Sequence, residues 1–145
     1  MGKLLEPGAS VPDLSLDDLS GGQVSLHTSE PVLLVFFKIS CPVCQLTLPY
    51  LERVHPGRKI RGVSQNSAED TREFAAEFEI SFPILLDPEE RFPASNAFGI
   101  THVPTLFLLD AAGRIEKVIE GWNRQEMDAL GALRPGDNVP AWKAG

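Results

Sequence analysis

The sequence predicts an α/β fold in which helices pack on one mixed β-sheet. The segment from Val32 to Ile39 is apolar except for Lys38 and rich in Val, Ile and Phe, which is typical of a central strand covered on both faces. Strand-like and helix-like segments then alternate along the chain, and the last two strands are adjacent, as in a hairpin. This order favours a sheet with parallel and antiparallel strands flanked by helices.

Length and charge narrow the possible classes. A chain of 145 residues that is 43% hydrophobic fits a single domain with a core of its own. A net charge of −7 disfavours nucleic acids and anionic membranes as partners. The longest apolar run, Pro31 to Phe37, is far shorter than the roughly 20 residues that span a bilayer. We expect a monomer in the cytoplasm as the chain is written, or in the periplasm or outside the cell if a signal or anchor segment was removed.

The first half of the chain begins irregularly and then becomes regular. Residues 1–23 are rich in Pro and Gly, which predicts at most a short hairpin near Val24 to Leu26. After the central strand, Pro42 suits the first position of a helix, and Pro49 inside that helix is expected to kink it. His55-Pro56-Gly57 is expected to end the helix.

The middle of the chain continues the alternation. A strand is predicted from Lys59 to Gln65, followed by a helix capped at Ser67. A short strand at Ile84 to Leu86 precedes a helical stretch from Glu89 to Phe98, and a further strand covers Thr105 to Leu109.

The end of the chain holds a hairpin, a helix and a tail. The turn at Asp110 to Gly113 connects to a strand from Arg114 to Glu120, and Asn123 caps a helix that ends near Leu133. Residues 134–145 show little pattern and are predicted to be a mobile tail. Residues 1–133 are therefore predicted to form the single domain.

Two cysteines, Cys41 and Cys44, carry the clearest chemical signal. They lie where the central strand ends and a helix begins, and thiols at i and i+3 there can form a small disulfide and open again. The helix N-terminus favours an anion, so Cys41 is predicted to be the nucleophile. Cys44, one turn deeper, is predicted to attack the mixed disulfide that Cys41 forms, which makes it the resolving thiol.

Two other interpretations of the pair are buried structural cysteines and half of a metal site. Tetrahedral zinc needs two further ligands with local spacing. His27, His55 and His102 are isolated in the sequence, so no metal and no other cofactor is expected.

The segment from Val35 to Cys44, the helix residue Pro49 and the run Val103-Pro104-Thr105 resemble the thioredoxin-like superfamily. The N-terminal segment, the stretch 89–98 and residues 99–105 are similar to its TlpA/ResA-like and redoxin branch. This resemblance implies a thioredoxin-like fold with an N-terminal extension and an inserted helix. It also implies a thiol–disulfide oxidoreductase that exchanges its C-x-x-C pair with protein disulfides or thiols and with a redox partner.

The resemblance assigns further site residues. It implies a cis bond between Val103 and Pro104, with Pro104 beside the cysteines as a third catalytic residue. Five residues are predicted to bind substrate, namely Ser40, Pro42, Val43, Val103 and Trp122. Trp122 has a second interpretation, a hydrophobic staple with Met127 across the cap Asn123.

The sequence departs from the family pattern at several positions. Thioredoxins carry a buried aspartate where this chain has Val35, and relatives often carry a glutamate where it has Thr47. The acceptor of the Cys44 proton therefore stays open. Lys38 either adds positive charge near Cys41 or reaches solvent, and His102 either borders the site or is a surface loop residue.

Two rival functions remain from the sequence. A peroxiredoxin-like peroxidase shares the N-terminal segment, but its family places threonine or serine at the position of Lys38. A copper-binding or delivery module would use both cysteines with His102, because soft thiolates favour Cu(I).

Overall fold

A mixed sheet of seven strands forms the centre of the molecule in the computed structural model, which describes residues 3–145. The strands are β1 (Ser15–Asp18), β2 (Gln23–Ser25), β3 (Val32–Phe37), β4 (Ile60–Ser64), β5 (Ile84–Leu86), β6 (Thr105–Leu109), β7 (Ile115–Glu120), β8 (Trp122–Asn123) and β9 (Trp142–Lys143). The helices are α1 (Pro42–Glu52), α2 (Ala68–Glu77), α3 (Pro93–Phe98) and α4 (Arg124–Ala129). The predicted α/β class is confirmed; residues 1 and 2 of the predicted domain lie outside the description.

The large sheet has the order β2-β1-β5-β4-β3-β6-β7. Strands β3, β4 and β5 run parallel, while β1, β6 and β7 pair antiparallel with their neighbours. All six residues of β3 are buried, as its unbroken apolar sequence predicts. Because β3, β4 and β5 are parallel, the residues that follow them meet at one edge of the sheet.

The first two helices begin as the sequence predicts. Cys41 is the N-cap of α1 with Pro42 behind it, and Pro49 lies inside the helix. The Ser67 hydroxyl caps α2 by accepting a hydrogen bond from the Asp70 amide at 3.2 Å. The hairpin of β1 and β2 occupies the predicted N-terminal extension.

Helix α3 starts later than the sequence predicts. Its range begins at Pro93 instead of Glu89, and Phe92 before it has a left-handed backbone with φ 46°. The preceding chain turns instead, with the Phe92 amide donating to the Pro88 carbonyl at 2.7 Å. A proline fits the first helical position, and the residue before it is disfavoured in the helical region, so Pro93 fixes the start.

Helix α4 also ends before the predicted Leu133. The cap is Leu130, and Gly131 follows with φ 84° in the left-handed region that glycine tolerates. At its start, the Asn123 side chain accepts from the Glu126 amide at 3.0 Å, so the predicted cap is confirmed.

The C-terminal segment makes specific contacts, whereas the sequence predicts a mobile tail there. Strand β9 pairs antiparallel with β8, Val139 is 8% exposed, and Asp137 forms an ion pair with Arg53 at 2.7 Å. These contacts are non-local and leave no periodic pattern in the sequence, which explains why sequence reasoning missed them. Within residues 3–145, none of the helices has the length and apolar character needed to cross a membrane.

Candidate active site

The two cysteines lie at the junction between β3 and α1. Both are free thiols, and the Cys41 sulfur accepts a hydrogen bond from the Cys44 amide at 3.3 Å. On its other side, the Cys41 thiol donates to the carbonyl oxygen of Val103 at 3.5 Å. The Cys41 sulfur thus lies between an amide donor at the start of α1 and a carbonyl acceptor in the loop before β6.

The two thiols differ in their surroundings. Cys41 is half-buried, whereas Cys44 is 0% exposed. Burial raises the pKa of the Cys44 thiol, because the charged form loses its hydration, and a hydrogen bond from the Lys38 backbone offsets this only in part. Cys44 is thus held neutral while Cys41 faces the surface.

The turn between β3 and Cys41 is held by side chains from elsewhere in the chain. The Ile39 amide donates to the side-chain oxygen of Asn66 at 2.9 Å, and the Gln45 side chain donates to the Ile39 carbonyl at 2.8 Å. Both partners secure the same residue, two positions before Cys41. Asn66 is 27 residues from Ile39 and reaches this turn only through the fold, and neither Asn66 nor Gln45 was predicted from the sequence to be part of the site.

The loop before β6 faces the cysteines. The peptide bond between Val103 and Pro104 is cis, as the resemblance implies, and a second cis bond joins His55 and Pro56. The hydroxyl of Thr105 donates to the His102 carbonyl at 2.9 Å and ties the loop to the start of β6. The Val103 carbonyl is thereby placed beside the Cys41 sulfur.

An open cavity of about 460 Å³ adjoins Cys41. Lys38 and Gln65 border it from the carboxyl ends of β3 and β4, and Phe92 borders it from the turn before α3. The cavity is completed by Ser95, Asn96, Ile100, Thr101, His102, Val103 and Gly145. No site role was predicted from the sequence for Gln65, Phe92 or Ser95. A signal was available for Gln65, because groups that bind ligands collect at the carboxyl ends of parallel strands.

The two residues whose roles were open in the sequence both border this cavity. Lys38 is exposed, and His102 lies within 3.3 Å of Glu120. The Thr47 hydroxyl donates to the Val43 carbonyl at 2.7 Å and is fully buried. The hydrogen of the Thr47 hydroxyl is therefore already bonded within α1. Relatives often carry a glutamate at this position.

The predicted substrate-binding residues fall into two groups. Ser40 and Pro42 are exposed beside Cys41, Val43 is half-buried, and Val103 presents its carbonyl. Trp122 differs, because it is 0% exposed and its indole N–H donates to the Pro140 carbonyl at 2.6 Å. The tail covers Trp122, so the predicted contact between its indole and a peptide is not available in this arrangement.

Trp122 instead belongs to the core. Its ring meets that of Tyr50 edge-on with centroids 5.3 Å apart. Met127 on α4 is also buried, in keeping with the staple interpretation. Among residues 3–145, no group of three or more His, Cys, Asp or Glu side chains is arranged to hold a metal ion.

The chain is similar to proteins of a known family, which include a thiol-disulfide oxidoreductase. The AhpC/TSA family model matches residues 7–118. A thiol-disulfide oxidoreductase, ResA, from Geobacillus thermodenitrificans is 32% identical over 127 residues, covering 82% of this chain and 72% of that protein.

Solved structures show the same fold. The thioredoxin domain of a thiol-disulfide oxidoreductase from Bacteroides vulgatus superposes with a TM-score of 0.73 at 25% identity, covering 81% of this chain and 91% of that one. A peroxidoxin, BcpB, from Mycobacterium tuberculosis also has a TM-score of 0.73, but at 19% identity, covering 90% and 99% of the two chains. The peroxidoxin therefore shares the fold alone. The family match, the ResA relative and the cysteine pair agree that this chain belongs to the AhpC/TSA family, in its TlpA/ResA-like branch.

Proposed function

We propose that the protein exchanges the Cys41–Cys44 dithiol with disulfides of other proteins, as a thiol–disulfide oxidoreductase. The Cys41 thiolate attacks one sulfur of the substrate disulfide, and the other substrate sulfur leaves as a thiol. Cys44 then loses its proton and attacks Cys41, which releases the second substrate thiol. The substrate disulfide is reduced to two thiols while Cys41 and Cys44 are oxidised to one disulfide.

The observation that carries this proposal is the asymmetry of the two thiols. Cys41 is half-buried and accepts an N–H, whereas Cys44 is fully buried and its pKa is raised. Only Cys41 is therefore accessible to a partner protein. The thiol of Cys44, one helical turn away, is protected until the mixed disulfide has formed.

The neighbouring residues have proposed roles in holding substrate. Ser40, Pro42 and Val43 surround Cys41 at the surface, and the Val103 carbonyl lies across from it. We propose that an extended peptide lies between these two sides, with its cysteine at Cys41 and its backbone along Val103 and Pro104, where it takes the place of Gly145 against the Val103 carbonyl.

The direction of exchange and the compartment depend on each other. The same chemistry run backwards oxidises a substrate dithiol, and the reduction potential of the pair decides which direction prevails. We propose a reductant in the cytoplasm; the alternative is the periplasm or the cell exterior.

Two measurements test these proposals. Equilibrating the Cys41–Cys44 pair against a glutathione series measures its reduction potential. Light scattering tests the proposal that the protein is a monomer.

Two single variants test the order of the thiols. Cys41→Ser is expected to abolish exchange, whereas Cys44→Ser should react once and remain trapped as a mixed disulfide. The measurement is mass spectrometry of each variant after incubation with a disulfide-bonded peptide. The proposed order is wrong if Cys44→Ser turns over repeatedly or if alkylation labels Cys44 before Cys41.

A peroxidase is the second candidate, because the peroxidoxin from Mycobacterium tuberculosis shares the fold. Lys38 stands where such enzymes carry threonine or serine, which disfavours this candidate. Rapid reduction of hydrogen peroxide without reduction of a protein disulfide would establish it. The copper-binding alternative gains no support, since residues 3–145 contain no group of three suitable ligands.

A further inference from the structure

A buried carboxylate follows the strand that lies two positions away in the sheet from β3, and it takes no part in the exchange chemistry. Asp87 follows β5 and is 0% exposed. Its oxygens accept the amides of Ala94 and Ser95 at 2.9 and 2.8 Å, and the Ser95 hydroxyl at 2.6 Å. A carboxylate only accepts hydrogen bonds, so the single hydrogen of the Ser95 hydroxyl must point to Asp87.

The direction of the Ser95 hydroxyl hydrogen fixes the orientation of the Gln65 side chain. Because the Ser95 hydroxyl has no further hydrogen, it can only accept from Gln65, and the two side chains are 2.8 Å apart. The Gln65 nitrogen therefore faces Ser95, and its oxygen points the other way. The two ends of an amide side chain look alike in shape, so the chain from Asp87 through Ser95 decides which end is presented.

The oxygen of Gln65 is accessible. It has no hydrogen-bond donor among residues 3–145, and the one side-chain polar atom there that is both buried and unpaired is Nδ1 of His55. Gln65 is 8% exposed as a whole and borders the cavity beside Cys41. Gln65 therefore carries a hydrogen-bond acceptor without a partner at a cavity that Cys41 also borders.

We propose that Gln65 is a specificity-determining residue of the exchange site, whose side-chain oxygen accepts a hydrogen bond from a backbone N–H of the bound peptide. This inference rests on the proposed function and names its substrate class as an extended peptide. Ser95 and Asp87 are positioning residues that act through Gln65. A small disulfide without N–H groups displaces water from this oxygen and offers no donor in return, so it gains nothing here.

The test compares two substrates in single turnovers of the reduced protein. Gln65→Met has a similar size and lacks the oxygen; it should lower kcat/KM for a disulfide-bonded peptide by about tenfold, the worth of one hydrogen bond. Its rate with dithiobis(nitrobenzoate), which has no N–H, should change less than twofold. Asn96→Ala, which alters the same cavity, is the matched control and should leave the ratio of the two rates unchanged.

Two further measurements separate positioning from stability. Ser95→Ala frees the side-chain amide of Gln65 to turn, so it should lower the rate with the peptide and leave the rate with dithiobis(nitrobenzoate) unchanged. The double variant with Gln65→Met should react no more slowly than Gln65→Met. On the unmodified protein, a peptide N-methylated at one amide next to its cysteine should react about tenfold more slowly, and Gln65→Met should not discriminate against it.

The outcomes distinguish this inference from the proposed function. Equal losses with both substrates, additive effects of the two variants, or a peptide series insensitive to N-methylation would overturn the role of Gln65. Thiol exchange itself is contradicted if the unmodified protein reduces neither substrate. It is also contradicted if Cys41→Ser still reduces either of them.

Discussion

At the scale of single residues, the buried thiol of Cys44 makes the stability of the reduced protein depend on pH. Its pKa is raised by burial, so the group is neutral in the folded chain at a pH where the unfolded chain has already lost the proton. The stabilisation is fully present below the unfolded pKa of about 8.5 and is lost as pH rises above it.

We therefore expect the free energy of unfolding of the reduced protein to fall by up to about 1.4 kcal/mol per pH unit above pH ~8.5. Urea denaturation at pH 7, 8.5 and 10 measures it. Cys44→Ala, which lacks the buried thiol, is the control and should show a shallower decline. Equal slopes in the two proteins would contradict this assignment.

Trp122 offers a second prediction at this scale. It is among the largest fully buried side chains and contacts Tyr50 and the Pro140 carbonyl. Trp122→Ala should cost about 3–5 kcal/mol of stability, the usual range for a buried aromatic. Denaturation of Trp122→Phe provides the control, because it keeps most of the packing. A loss below 1 kcal/mol in Trp122→Ala would show that the indole is not part of the core.

At the scale of elements, α1 connects the cysteines to Trp122. Cys44 and Tyr50 lie on the same helix, and the Tyr50 ring meets the indole. We predict that closing the Cys41–Cys44 disulfide changes the emission of Trp122, measured in Trp142→Phe so that a single tryptophan remains. The same protein carrying Cys41→Ser controls for the reductant. Identical spectra in both redox states would leave Trp122 with its packing role alone.

The C-terminal segment supports a prediction about stability. Asp137 is paired with Arg53, and the Arg53 pKa is raised mainly by its hydrogen bond to Asp137. Deleting residues 134–145 also uncovers Trp122. We expect the melting temperature to fall by at least about 5 °C, since ~1–2 kcal/mol is worth several degrees in a domain of this size. Asp137→Asn should shift it far less. An unchanged melting temperature after the deletion would support the mobile tail that the sequence predicts.

At this scale, the sequence predicted the features that are set by residues close together in the chain. The unbroken apolar run of β3 and the Ser67 cap are local signals, and both elements formed as predicted. The start of α3 was misplaced because Glu89, Glu90 and Arg91 are residue types that favour helices, whereas the backbone turns at Phe92. The site divides in the same way: Cys41 and Cys44 are close in sequence, while Gln65 meets Ser95 only through the fold.

At the scale of the whole molecule, the parallel strands explain why one edge of the sheet holds the chemistry. Strand β3 leads to Cys41, β4 leads to Gln65 and β5 leads to Asp87, so three successive strands deliver a nucleophile, an acceptor and the group that orients the acceptor. The antiparallel strand β6 starts at the same edge and brings Val103 with it. The fold thus brings groups from four strands to the edge of the sheet that carries Cys41.

The position of Gly145 has a practical consequence for anyone who handles this protein. Gly145 lies directly against the Val103 carbonyl, with no room there for a Cβ, and it borders the cavity of Cys41. Any chain that continues from Gly145 therefore starts beside that cavity. A polyhistidine purification handle placed there would compete with incoming proteins and bring imidazoles to a thiolate. Such a handle should therefore be cleaved off before kinetics or metal titrations are recorded.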